Sequence, residues 1–181
     1  MNLGSVSEFR KEEFFSMKCK MIENGINCLY HFTDENNLNN IKEKGLCPRN
    51  KLSQNEFKSG GNDWSISSDN NLGLNEYVHL CLFKNHPMKY RLEKDSPERN
   101  FHWLAINLSV LDFENVKYTD DVSNKSGVRL LSENEAIRCY DFGAFSRLDF
   151  RIDENQQRRS KVEKYEILVP CVIPFYMIRI L

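Results

Sequence analysis

The sequence predicts an α+β fold. Helical patterning gathers near the start, short aromatic-rich and β-branched runs dominate the rest, and no regular strand–helix alternation links the two. A chain of 181 residues has the size of one domain, and residues 1–181 are read as one. Ser5-Val6-Ser7-Glu8 has the form of a capping box. Phe9, Phe14, Met17 and Met21 follow near helical spacing, and Asn24-Gly25 supplies a stop, so a first helix is expected over about 6–23. Ile26 to Thr33 reads as a strand. Thr33 or Asp34 then caps a helix carrying Leu38, Ile41 and Lys42 that ends at Gly45.

Residues 47–75 form a polar stretch rich in Asn, Ser, Gly and Asp, with Gly60-Gly61 inside it; a loop this long is functional or mobile, and flexible turns explain the glycine pair. Tyr77 to Phe83 reads as a buried strand followed by a turn at Asn85-His86-Pro87. Phe101 to Leu108 is a second such strand and Val128 to Leu131 a short third. Ser132 to Glu135 is another capping box, opening a helix through Tyr140. Residues 141–163 are charged, with Phe142, Phe145 and Phe150 interleaved. Two closing strands, Tyr165 to Val169 and Phe175 to Ile180, surround Pro170 and Pro174.

Composition narrows the function. With 40% hydrophobic and 28% charged residues the chain builds a core and is not a disordered segment. A net charge of -1 gives no overall field for nucleic acid, so any such binding needs a local basic patch. The six cysteines are scattered without a CxxC, which suits free thiols in a reducing compartment. No apolar signal-peptide core opens the chain and no apolar run reaches about 18 residues, so a cytoplasmic protein without membrane spans is expected.

No GxGxxG, Walker-type loop, HExxH or GxSxG occurs. His31, His79, His86 and His102 are too dispersed for a local metal motif, and no metal is expected, although His79 and His102 lie on different strands and could meet. His31 ends a strand just before a helix start, where an anion such as a pyrophosphate is favoured; taken alone, a satisfied core histidine is the plainer reading. Glu166 falls between Tyr165 and Ile167 in a Pro-bounded strand, where alternation places it with Leu168 on the face away from Tyr165, Ile167 and Val169. A solvent-facing glutamate is the plainer reading of it in isolation. Gln156 to Lys161 reads either as a solvated loop or as a phosphate-contacting patch beside that carboxylate.

Together these segments resemble the DarT family of DNA ADP-ribosyltransferases. Leu29-Tyr30-His31-Phe32-Thr33, Asn37-Leu38, Ile41 and Gly45-Leu46 are similar to its opening block. Tyr77-Val78 through Pro87-Met88-Lys89-Tyr90 resembles the second, and Trp103 to Leu111 with Asp121 to Ser126 the third. Lys164-Tyr165-Glu166-Ile167-Leu168-Val169, with Ile173-Pro174 and Tyr176-Met177-Ile178, resembles the last. Four blocks in one order cover about residues 27–181; residues 1–25 fall outside.

The resemblance implies an ADP-ribosyltransferase fold of two small packed sheets around an NAD cleft. It implies NAD as donor, a base of single-stranded DNA as acceptor, a toxin or phage-defence role, and a macrodomain antitoxin as partner. It implies Glu166 as the catalytic carboxylate. His31, Thr33, Tyr77, Met88 and Tyr90 fall at cofactor-contacting positions. Some members carry an arginine late in the loop before the second block; here residues 50–76 contain none, and Arg49 alone stands between Gly45 and Tyr77 as a cofactor contact. That departure leaves the acceptor base, thymine or guanine, open. Arg158, Arg159 and Lys161 would meet DNA phosphates, and the interleaved phenylalanines are equally core residues or base-stacking surfaces. An acceptor on RNA or protein, and an idle NAD-binding module, are the competing readings.

Overall fold

The computed structural model describes residues 16–53, 73–146, 149 and 151–181. The Ser5–Glu8 capping box, the Gly60-Gly61 turn and Phe150 lie outside them. Helix α1, Met17–Glu23, is capped by Ser16, whose hydroxyl accepts from the Cys19 N–H at 3.2 Å, and it buries Met17 and Met21 completely. Gly25, at φ +82°, supplies the stop.

Strand β1, Cys28–Asp34, runs into a 3-10 turn over Glu35–Asn37 and then helix α2, Leu38–Lys44. Asp34 is the cap: its carboxylate accepts from the Asn36 N–H at 2.9 Å. Gly45 ends α2 at φ +80°, where a Cβ would collide with the Ile173 carbonyl. Leu46 bridges Ile173 there, so a glycine lets the two segments meet.

Strand β2 is Val78–Cys81 and β3 is Phe101–Asn107. Between them Pro87–Asp95 forms a helix, α3, which the sequence pattern hid because Leu92 is its one fully covered apolar side chain among those described. A proline at the first helical position and the pairs Lys89–Glu93 and Arg91–Asp95 support it instead. Strand β4, Lys117–Thr119, is too short to stand out, and it pairs with β5, Leu130–Leu131. Helix α4, Glu133–Cys139, opens on the expected capping box of Ser132 and Glu135.

Gln156 to Lys161, expected as a loop, lies instead in helix α5, Asp153–Val162. It is polar nearly all round, with Val162 its single buried residue, so no apolar stripe announces it. Strand β6 is Glu166–Val169 and β7 is Ile178–Ile180; Phe175–Met177, expected as strand, is a 3-10 turn after Pro174.

All strand pairs are antiparallel, in the order β5-β4-β6-β2-β1-β3-β7. The expected pair of packed sheets is therefore corrected to one hydrogen-bonded sheet. Its two halves are unequally joined. β1 pairs with β3 along seven residues and β2 with β6 along four, whereas β1 and β2 meet only at Tyr30↔Cys81. Val78, Leu80, Leu82, Ile167 and Val169 face a core that includes Met17, Met21, Leu29, Leu104 and Ile106. Among the described residues no helix is long and apolar enough to cross a membrane.

Candidate active site

Glu166 opens β6 beside Cys81 of β2, with only 5% of its surface exposed. An ionised carboxylate so buried is costly unless paired and hydrogen-bonded. Its backbone N–H donates to Thr119 Oγ1 at 2.9 Å, and the Thr119 hydroxyl donates to the Asp121 carbonyl at 2.6 Å. Its side chain lies between two histidines. His79 Nδ1 is 3.2 Å from Oε2, and His86 Nε2 is 3.3 Å from Oε1. Burial pushes the Glu166 carboxyl up, but the two imidazoles outweigh it and hold the group far below the usual carboxylate range.

The His79 ring has a fixed hydrogen. The Leu74 carbonyl, an acceptor only, faces Nε2 at 3.0 Å, so Nε2 carries an N–H. Nδ1 therefore needs a shared proton to face the carboxylate. Ser123 Oγ lies 3.1 Å from the same Nδ1. Serine and glutamate meet one ring nitrogen, which rules out a relay that activates a serine nucleophile. Cys81, across from Glu166, donates its thiol to the Tyr30 carbonyl at 3.2 Å, and burial pushes that thiol up so that it stays neutral.

His31 lies where the two sheet halves separate. Its Nδ1 is 2.9 Å from the His79 carbonyl and must carry the hydrogen. Burial lowers its basicity, against the opposing backbone hydrogen bond, so the ring is neutral and Nε2 presents a lone pair. A side-chain bond thus crosses the seam where the backbone ladder between β1 and β2 ends. Thr33 is buried, with its hydroxyl accepting from Asn37 Nδ2 at 3.2 Å.

The structure connects some of the remaining expected residues to this centre. Arg49 lies in a 3-10 turn, Arg49–Lys51, that packs against the turn Leu74–Glu76, whose first carbonyl holds His79. Tyr77 is half-buried between that turn and β2. Met88 occupies the second position of α3. Tyr90 points outward from α3, 58% exposed, and its hydroxyl donates to Asn85.

The basic trio divides. Arg158 makes a two-pronged pair with Asp141, Nε–Oδ2 at 2.6 Å and Nη2–Oδ1 at 2.7 Å. Arg159 bonds Glu163, donates to the carbonyls of Ala144 and Phe145, and covers the Phe83 ring at 3.6 Å. Lys161 is exposed beside a shallow concavity lined also by Asp121, Gln157, Ser160 and Lys164. Phe145 is buried and Phe142 packs against it, with centroids 5.1 Å apart, so both belong to the core.

Sequence reasoning missed His79 and His86 as partners of Glu166, and Thr119 and Ser123 as supports. The available signal was two histidines bracketing the end of one strand. His102 instead pairs across from Thr33, away from that cluster in strand order. Among the described residues no three metal-ligating side chains are grouped to hold an ion.

A model of the family described as "DarT: ssDNA thymidine ADP-ribosyltransferase" matches residues 30–180. Comparison with curated proteins returns no match. Among solved structures, Thermus sp. 2.9 DarT in complex with ADP-ribosylated ssDNA is similar at 18% identity and TM-score 0.60, with 84% of this chain and 79% of that chain covered. The same organism's DarT in complex with NAD+ gives 19% and 0.57, covering 86% and 81%. Thermosipho africanus DarTG in complex with ADP-ribose gives 19% and 0.63, covering 84% of this chain but 42% of that one. At these identities the structural likeness concerns the fold.

Proposed function

The chain belongs to the DarT family of ssDNA thymidine ADP-ribosyltransferases, and from that membership and the clasped carboxylate we propose that it moves ADP-ribose from NAD onto thymidine, with Glu166 as its catalytic residue. The observation that carries the reading is the buried Glu166 held ionised between His79 and His86. Cleaving the nicotinamide–ribose bond builds positive charge at the anomeric carbon, as in glycoside cleavage. Glu166 places a fixed negative charge for that centre. A carboxylate has about four acceptor positions, so beyond its two histidines Glu166 retains capacity for the ribose 2′-hydroxyl and for the proton of the attacking base.

His31, neutral and with Nε2 free to accept, suits a ribose hydroxyl. Thr33 shapes the turn beneath it. By resemblance Tyr77, Met88 and Tyr90 serve the nicotinamide side and Arg49 the diphosphate, Arg49 from the turn packed against Leu74–Glu76. Lys161 is the exposed cation for DNA phosphate beside the Glu166 strand; Arg158 and Arg159 contribute to that field through their partly exposed guanidiniums. The chain acts as one domain in the cytoplasm, in a toxin or defence role, and a macrodomain antitoxin that removes the modification is its partner.

The test is direct. The protein is incubated with NAD and single-stranded oligonucleotides of single-base composition, with RNA and lysate protein as parallel acceptors, and mass spectrometry reads the added ADP-ribose. Label is expected on the thymidine oligonucleotide and absent with Glu166→Gln. Modification by the Glu166→Gln protein, or label on RNA or protein alone, overturns the reading.

A further inference from the structure

Two histidines with no assigned part touch Glu166, and each reaches a different oxygen through a different ring nitrogen. His79 comes from β2 and uses Nδ1 on Oε2; His86 comes from the turn before α3 and uses Nε2 on Oε1. His86 is 4% exposed and Glu166 5%, whereas the His79 side chain keeps 28% of its surface open. His79 is fixed from behind by the Leu74 carbonyl and from the side by Ser123. The His86 contact is the looser one, in ion-pair range but without the alignment of a well-formed hydrogen bond. Catalytic contacts in a free enzyme are often long and tighten only with substrate.

We propose that His79 and His86 are positioning residues for the transfer, each donating a ring N–H to one oxygen of Glu166 and together fixing the plane and orientation of that carboxylate. Two donors on two oxygens define the carboxylate plane, which a single contact leaves free to turn about its last torsion. His79 acts as the fixed post, and His86 closes on Oε1 as the site fills. The remaining acceptor positions of Glu166 are then aimed at the ribose and the acceptor base. Acting through Glu166, they are expected to change kcat on their loss while NAD binding, which rests on other groups, is retained. The inference rests on Glu166 being the catalytic carboxylate.

The different ring nitrogens give a test that a merely space-filling role would fail. An asparagine amide nitrogen falls near histidine Nδ1, and a glutamine amide nitrogen near Nε2. His79→Asn and His86→Gln each keep the donor in place; the swapped forms His79→Gln and His86→Asn, and leucine at either position, do not. The matched variants are expected to stay within about threefold of wild-type kcat. The mismatched and leucine variants are expected to lose roughly 10- to 100-fold, the range for a hydrogen bond to a charged group, with the KM for NAD little changed. Equal activity in matched and mismatched amides overturns the proposal, as does a loss confined to KM.

A measurement on the unsubstituted protein covers the case in which variants fail to fold. Nitrogen-15 NMR of the histidine rings at neutral pH is expected to show hydrogens on His79 Nδ1 and on His86 Nε2, and a bare nitrogen at either position overturns the proposal. If Glu166→Gln remains active, the underlying reading fails. If Glu166→Gln is inactive and both leucine variants keep full kcat, only the clamp fails.

Discussion

Thr119→Val isolates the hydroxyl that fixes the backbone of the strand carrying Glu166. Thr119 is fully buried, accepts from the Glu166 N–H at 2.9 Å, and donates to the Asp121 carbonyl at 2.6 Å. Valine has nearly the same shape, so no cavity opens, but the Glu166 N–H and the Asp121 carbonyl lose their common partner. An orphaned buried polar group costs about 1–3 kcal/mol. The Glu166 N–H bears that cost in full and the partly buried Asp121 carbonyl a smaller share, so a loss of about 2–4 kcal/mol is expected. In a domain of this size each kcal/mol moves Tm by roughly 2–4 °C, so a fall of about 10 °C is expected. Thr119→Ser keeps the hydroxyl and loses one methyl, a cost of about 1 kcal/mol. Urea and thermal unfolding of the three proteins, with equal m-values, give the comparison. A valine variant within about 0.5 kcal/mol of wild type, inside the range of an ordinary surface substitution, or a serine variant as damaged as the valine one, would refute the hydrogen-bond account.

Gly45→Ala is expected to destabilise by at least about 3 kcal/mol, read by thermal unfolding, because its φ of +80° is strained for alanine and the new Cβ strikes the Ile173 carbonyl. Lys161→Ala should weaken single-stranded DNA binding and lower the slope of log K against log salt by about 0.7, the loss of one phosphate contact. Arg159→Ala should leave that slope less affected and instead reduce stability by about 2 kcal/mol, through loss of its Phe83 stacking and its bonds to Ala144 and Phe145. His31 is less basic in the fold than its ordinary value of 6.5, so the unfolded chain takes up its proton first. Stability should therefore fall as pH drops through about 6.5 toward the folded-state value, and His31→Gln should flatten that part of the pH–stability curve.

The strand that carries Glu166 was legible in the sequence because it is short, bounded by proline and rich in β-branched and aromatic residues, although its glutamate, read in isolation as solvent-facing, is buried with the rest of the strand. Tyr165, Ile167 and Val169 bury against the core, and Glu166 takes the opposite face. The β1–α2 corner was legible because Asp34 and Gly45 carry local capping and stop chemistry that sequence spacing reveals, and the fold adds long-range partners, Arg99 and Ile173, to both. Helices α3 and α5 were hidden because each buries a single apolar residue among its described side chains, Leu92 and Val162. The i,i+4 pairs Lys89–Glu93, Arg91–Asp95 and Arg159–Glu163 and the Arg159 stack on Phe83 accompany them, and none of these shows as an apolar stripe. The histidine clamp was hidden more deeply. His79 and Glu166 are separated by 87 positions and become neighbours only through the register Cys81↔Glu166. His86 joins them from a turn.

The unequal seam in the sheet bears on how the reaction geometry is held. Glu166, His79 and Thr119 all belong to the β2–β6–β4 half, so the proposed catalytic carboxylate and its hydrogen-bonded supports share one ladder. His31 and Thr33 belong to the β1–β3 half. Across the seam run one backbone pair, the Cys81 thiol on the Tyr30 carbonyl, and His31 on the carbonyl of His79. The last of these attaches the proposed ribose contact to the very residue that posts the carboxylate. A neutral imidazole serves both tasks at once, because Nδ1–H is consumed by the His79 carbonyl and the lone pair on Nε2 is left for a hydroxyl. A protonated His31 would present a donor there instead. The burial that keeps His31 neutral thus sets the polarity of the proposed donor site, and the distance between that site and Glu166 is fixed by a bond between side chain and backbone where the strand ladder is absent.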